Sequence, residues 1–101
     1  MFLVIYLNGR NQILKLEELF KGTLSTSALS PREVVKRALD NNAAAIVLVH
    51  NHPSGNSTPS QDDLAITKKL KEATQSIDVS VHDHLIIAGN DVYSFADHGI
   101  L

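Results

Sequence analysis

The feature that most limits this chain's fold is the run Ala43-Ala44-Ala45-Ile46-Val47-Leu48-Val49, which has no polar break and leads straight into His50. Such a run is far shorter than the ~20 residues needed to span a bilayer. It is rich in β-branched residues and reads as a central strand buried on both faces. A strand of that kind needs strands beside it and helices over it, so the remaining sequence is read for both.

Residues 2–7 (Phe-Leu-Val-Ile-Tyr-Leu) read as a buried strand. Asn8-Gly9-Arg10-Asn11 is a turn in which Gly9 can take positive φ, and residues 12–20 return as the second strand of a hairpin. Residues 21–29 are a small-residue connection. Ser30 then caps a helix with Pro31 at its first position and Glu33 completing a capping box. Val34, Val35, Ala38 and Leu39 form its apolar stripe, and Asn41-Asn42 stop it. Residues 51–60 are a loop of Asn, Pro, Ser, Gly and Thr. A second helix starts near Pro59-Ser60 and ends near Gln75-Ser76, with Leu64, Ala65, Ile66, Leu70 and Ala73 on its buried side. Val79–Val81 and Leu85–Ala88 read as one strand or two short ones. Gly89-Asn90-Asp91 turns into a last strand, Val92–Phe95. The order predicts an α/β fold, a mixed central β-sheet with helices packed on it.

At 101 residues the chain is one small domain, residues 1–101, whose small core a bound metal would reinforce. A strand beginning at the second residue is expected of a piece of a longer protein. Nine Lys and Arg against eleven Asp and Glu leave a net charge of −2, so no direct nucleic-acid binding is expected. The chain has no cysteine, which excludes disulfides, cysteine zinc knuckles and cysteine nucleophiles. That suits a cytoplasmic protein, and no membrane partner is expected.

The chemistry concentrates where the apolar strand ends, the usual place for a site in an α/β unit. His50 and His52 are two apart, so in extended chain their side chains leave one side about 7 Å apart at their roots. Two imidazoles so placed can converge on one ion, and Asp63, in the first turn of the next helix, can fold back to join them. Three protein ligands leave a fourth tetrahedral position for water, the pattern of a catalytic zinc rather than a structural one. Zinc lowers the pKa of such a water to roughly 7, and a carboxylate must accept the proton. Glu17 and Glu18 are the candidates, facing opposite ways on the hairpin. Ser60 is placed to donate to a developing oxyanion. The same Ser60 and Asp63 also have the spacing of an ordinary capping box, and the two glutamates that of solvated strand charges. His82 and His84 form a second H-x-H without a helix-borne carboxylate downstream, which suits structural or supporting roles. His98 reads as a surface residue.

Taken together, His50-Asn51-His52-Pro53-Ser54-Gly55 through Ser60 and Asp63 resemble the JAMM motif, H-x-H-x7-S-x-x-D, complete at each specified position. Pro31 to Ala38, His82 to Ile87, Ser94-Phe95-Ala96 and Gly99-Ile100-Leu101 resemble phrases of the RadC family over nearly the whole chain. The resemblance implies the carboxyl-terminal JAMM (MPN-like) domain of such proteins, with cytidine-deaminase-like layering. It implies zinc held by His50, His52 and Asp63, and Ser60 steadying the tetrahedral intermediate. The segment Glu17 to Thr23 resembles E-x-L-F-x-G-T, which implies Glu17 rather than Glu18 as general base.

The function expected is therefore that of a zinc metallopeptidase acting on a peptide or isopeptide carbonyl of an unspecified peptide or protein substrate. The alternative is a metal-binding interaction module without turnover. RadC proteins carry a DNA-repair label, which nothing in the composition of this domain supports. A metal-dependent nuclease would show further carboxylates for a second ion. A zinc nucleobase deaminase would need cysteine ligands that the chain lacks.

Overall fold

The computed structural model describes residues 1–22 and 28–101. Thr23 of the glutamate-led phrase and the middle of the 21–29 connection lie outside the described residues.

The elements are β1 (Phe2–Leu7), β2 (Ile13–Phe20), α1 (Pro31–Asp40), β3 (Ala45–Asn51), α2 (Gln61–Gln75), β4 (Ser80–Ala88) and β5 (Asp91–Ser94). They form one five-stranded sheet in the order β2-β1-β3-β4-β5, with the apolar run at its centre. β3 is antiparallel to β1 and parallel to β4, and the outer pairs are antiparallel. The parallel pair is the one that α2 connects, as a crossover between parallel strands requires. The fold is the expected mixed α/β sheet with helices packed on it.

The helices cover one face only. Val34 and Ala38 of α1 and Ile66 and Leu70 of α2 join Phe2, Val4, Tyr6, Ile46 and Leu48 in a single buried cluster. The register explains the membership: Val4 lies opposite Leu48, and Tyr6 opposite Ile46, so these side chains leave the sheet on one side. On the other side Ala45 and Val49 are buried, whereas Leu3, Ile5, Val47, Leu85 and Ile87 are only partly so. An unbroken apolar run thus does not require a helix on each face; neighbouring strands shield much of its second face.

Several local expectations are corrected. Positive φ in the hairpin falls on Asn11 (59°), not Gly9, because Asn8 organises the loop. Its Oδ1 accepts from the backbone N–H groups of Arg10 and Gln12 at 2.9 and 3.0 Å. Ser30 makes no side-chain cap on α1, and Glu33 bonds Arg37 at 3.0 Å instead. Of the predicted α1 stripe Val34 and Ala38 are fully buried, while Leu39 is exposed. In α2, Leu64 is exposed, and Thr67 and Thr74 take buried positions. Each satisfies its hydroxyl on the carbonyl four residues back, at 2.7 and 2.9 Å. β4 is one strand, and the last strand, expected at Val92–Phe95, lies one residue earlier at Asp91–Ser94.

Candidate metal centre

His50, the last but one residue of β3, faces the helix-covered side, and His52 continues past the strand end, its N–H donating to Ile87 O at 2.9 Å. The chain then turns. Gly55 N–H donates to His52 O at 3.2 Å with Gly55 at φ 81°, a conformation other residues adopt only with strain. The turn returns the Asn56 carbonyl to His52 Nδ1 at 2.7 Å, which fixes that ring. Ser60 then caps α2 with a full capping box. Its Oγ accepts from Asp63 N–H at 3.0 Å, and its own N–H donates to Asp63 Oδ2 at 2.7 Å. The capping-box reading of Ser60 and Asp63 is therefore correct, and it serves the site, because the box aims the carboxylate at the histidines.

One ligand atom from each of His50, His52 and Asp63 lies within 4.8 Å of the others. His50 Nε2 is 3.1 Å from Asp63 Oδ1, and His52 Nε2 is 2.9 Å from Asp63 Oδ2. Tetrahedral ligand atoms on zinc bonds of roughly 2.0–2.1 Å stand about 3.3 Å apart, close to the spacing seen. Asp63 is 1% exposed, yet its Oδ1 has no hydrogen-bond partner. A buried carboxylate oxygen without a partner is costly, and a cation between it and the two imidazole nitrogens would satisfy it. The donor set, two imidazoles and a carboxylate, fits a zinc ion.

The triad opens into a cavity of about 410 Å³ whose wall includes Gly22, Asn51, Asn56, Ser60 and Asp62. Ser60 is exposed at its rim, and its capping bond uses an acceptor lone pair, which leaves the hydroxyl proton for a ligand. The fold thus brings together four of the five residues singled out in the sequence.

Glu17 is the fifth, and its carboxylate has partners of its own away from the triad. It lies opposite Val4 on β1, and its Oε1 accepts from Tyr6 Oη at 3.0 Å. Its Oε2 pairs with Arg37 at 2.9 Å and Lys15 at 3.4 Å. Partial burial acts to raise its pKa, and the bonds from Tyr6 and Arg37 outweigh that and lower it. Glu17 is not part of the cavity wall, where the same phrase contributes Gly22 instead. Glu18 lies opposite Leu3 and is exposed.

Thr67 is the residue that spacing missed, and His84 takes the supporting place expected of its pair. His84 is fully buried, 3.2 Å from His50 Nδ1 through its Nε2 and 2.6 Å from Thr67 Oγ1 through its Nδ1. Phe95 stacks on its ring at 4.5 Å. Burial, with the His50 imidazole second, pulls the His84 pKa down to about 4. The H-x-H spacing of His82 and His84 misleads because the register slips at His82. Ile46 pairs with Val81 but Val47 with Asp83, so His82 is an extra residue. It turns outward to Asn11 Oδ1 at 3.0 Å. His98 is exposed, as expected, and stacks on Tyr93.

A family model described as a RadC-like JAB domain matches residues 1–100. The chain is similar to the UPF0758 protein YfjY of Escherichia coli (strain K12), 55% identical over 100 residues that cover 99% of this chain and 62% of YfjY. It is equally similar to YeeS of the same organism, 55% identical over 100 residues covering 99% of this chain and 68% of YeeS. A UPF0758 protein of Dechloromonas aromatica (strain RCB) is 54% identical over 101 residues, which cover 99% of this chain and 45% of that protein. The chain thus spans from under half to about two thirds of these relatives, whose names state no activity. The five-stranded mixed sheet with two helices agrees with a JAB/MPN-like fold.

Proposed function

On the premise that this chain belongs to the family of RadC-like JAB domains, we propose that it is a zinc-dependent amide hydrolase of the metallopeptidase type. The observation that carries this reading is the buried, unpartnered Oδ1 of Asp63, grouped with the imidazole nitrogens of His50 and His52 at the edge of an open cavity. His50, His52 and Asp63 would hold the ion. A bound Zn²⁺ would polarise a carbonyl and make water a better nucleophile at neutral pH. Ser60 would donate its hydroxyl proton to the oxygen on which charge develops. The substrate would be a peptide or protein reached through the cavity mouth, and the protein would act in the cytoplasm.

Proton transfer divides two readings of this site. The family resemblance gives that role to Glu17, whereas its carboxylate is held by Tyr6 and Arg37 away from the cavity wall. The same observation favours a second reading, a metal-binding interaction module without turnover. Zinc content and peptide-library cleavage, measured on wild type, Asp63→Asn and Glu17→Gln, separate the two. The hydrolase reading expects one zinc per chain and cleavage in wild type, with both lost in Asp63→Asn. Wild-type protein that holds zinc and cleaves nothing supports the interaction module. Wild-type protein without stoichiometric zinc sinks both. Glu17→Gln that keeps zinc and loses cleavage would restore the glutamate to the reaction.

A further inference from the structure

We infer that Thr67 and His84 form a proton-ordering chain behind His50 that leaves the lone pair of His50 Nε2 facing Asp63. The inference deepens the metal reading above and rests on it for its purpose, though not for its geometry.

The order follows from counting protons. Thr67 Oγ1 has one hydrogen and two close partners, Asp63 O at 2.7 Å and His84 Nδ1 at 2.6 Å. A carbonyl oxygen only accepts, so the hydroxyl proton goes to Asp63 O and His84 Nδ1–H donates to Thr67 Oγ1. A neutral imidazole carries a single N–H, so His84 Nε2 is then a bare lone pair. The 3.2 Å contact between His84 Nε2 and His50 Nδ1 takes its proton from His50. His50 is left with a bare Nε2, 3.1 Å from Asp63 Oδ1, with no proton between them.

Two independent observations agree with that order. Asp63 Oδ1 has no hydrogen-bond donor, as the chain requires. On the other side of the site the Asn56 carbonyl, 2.7 Å from His52 Nδ1, takes the proton of that nitrogen, so a neutral His52 ring also presents a lone pair at Nε2. That lone pair lies 2.9 Å from Asp63 Oδ2, a contact that either a cation in the site or a second ring proton satisfies. With both rings neutral, the two histidines present lone pairs to one point beside a carboxylate. The chain also closes on itself, because the carbonyl that receives the Thr67 proton belongs to Asp63. One helical turn of α2 thus positions the carboxylate and sets the tautomer of the imidazole opposite it. Thr67 and His84 are positioning residues, since they act through His50.

The test is ring-nitrogen NMR of the metal-free protein at pH 8, followed by zinc titration against a competing chelator. Wild type is expected to show His84 protonated on Nδ1. Thr67→Val removes the acceptor with little change of shape and is expected to lose that pattern. Its zinc affinity is expected to fall roughly 10- to 100-fold, the usual effect of losing a group that orients a metal ligand. Thr67→Ser keeps the hydroxyl and is expected to restore both. A purely structural Thr67 would not move the tautomer or be rescued by serine. Wild-type His84 protonated on Nε2 overturns the inference, and so does a folded Thr67→Val with the wild-type tautomer and affinity. Wild type that shows the Nδ1 pattern but binds no zinc upholds the proton order and sinks the metal reading instead.

Discussion

Asp63 serves the helix and the site at once. Its Oδ2 and backbone N–H complete the cap with Ser60, and Oδ2 also lies 2.9 Å from His52 Nε2, while its Oδ1 faces His50 without a donor. Asp63→Asn should therefore abolish zinc binding and keep the helix, since an amide oxygen can still accept from Ser60 N–H. Asp63→Ala should lose both and unfold more easily by about 1–2 kcal/mol, the usual cost of a lost cap. Equal urea midpoints for the two variants would contradict this division. His84 adds a pH dependence. The unfolded residue takes a proton below about 6.5, whereas the folded one does so only below about 4. Between those values the unfolded state holds more protons, so stability falls as pH drops through that window. The expected loss is on the order of a few kcal/mol by pH 4. Urea midpoints of wild type and His84→Gln at pH 7, 5.5 and 4.5 measure it; the same slope in both would rule His84 out as the cause.

Among the elements, α2 matters most to the site because its first turn is also one wall of the cavity. Ser60→Ala should cost about 1 kcal/mol of stability through the lost cap. It should also weaken zinc binding, since the cap aims the Asp63 carboxylate. Ser60→Asn, another good cap, should recover the stability, as thermal melts of the three proteins would reveal. β2 is an edge strand with Ile13 and Leu16 exposed, and its chief polar anchor is the Glu17–Tyr6–Arg37 cluster that ties it to β1 and α1. The apolar pattern of β2 marks it as a strand but does not show which neighbours its charges meet. That is why spacing could offer Glu17 and Glu18 as proton acceptors and could not see Arg37.

For the whole molecule, the candidate metal site bears on the stability of a small core. Its three residues come from the central strand, the loop after it and a helix cap, so an ion held there would cross-link three parts of the fold. Zinc at 100 times its dissociation constant would stabilise the folded state by about 2.7 kcal/mol. That corresponds to a rise in Tm on the order of 10 °C for a domain of this size. Calorimetry with zinc and with chelator should show it, and Asp63→Asn should melt alike in both; a chelator-insensitive wild type would argue against a bound ion. No helix among the described residues is long and apolar enough to cross a membrane.

The sequence by itself determined what depends on near neighbours. The strands and helices follow from apolar periodicity and turn residues. The candidate triad is legible as a two-residue spacing at a strand end with a carboxylate in the next helix's first turn, and the resemblance to the JAMM motif is what singles it out from a plain capping box. The Ser60 cap is equally local. Only the tertiary structure decided matters that depend on register and on which distant side chains meet. A one-residue slip in β4 separated His82 from His84 and sent one outward and the other against His50. Packing of α1 beside β2 gave Arg37 the carboxylate of Glu17. Packing of α2 over β4 supplied Thr67 to His84, a contact between residues 17 apart. Such pairings carry no periodic signal, because each is fixed by how two elements sit against each other and not by the residues within either.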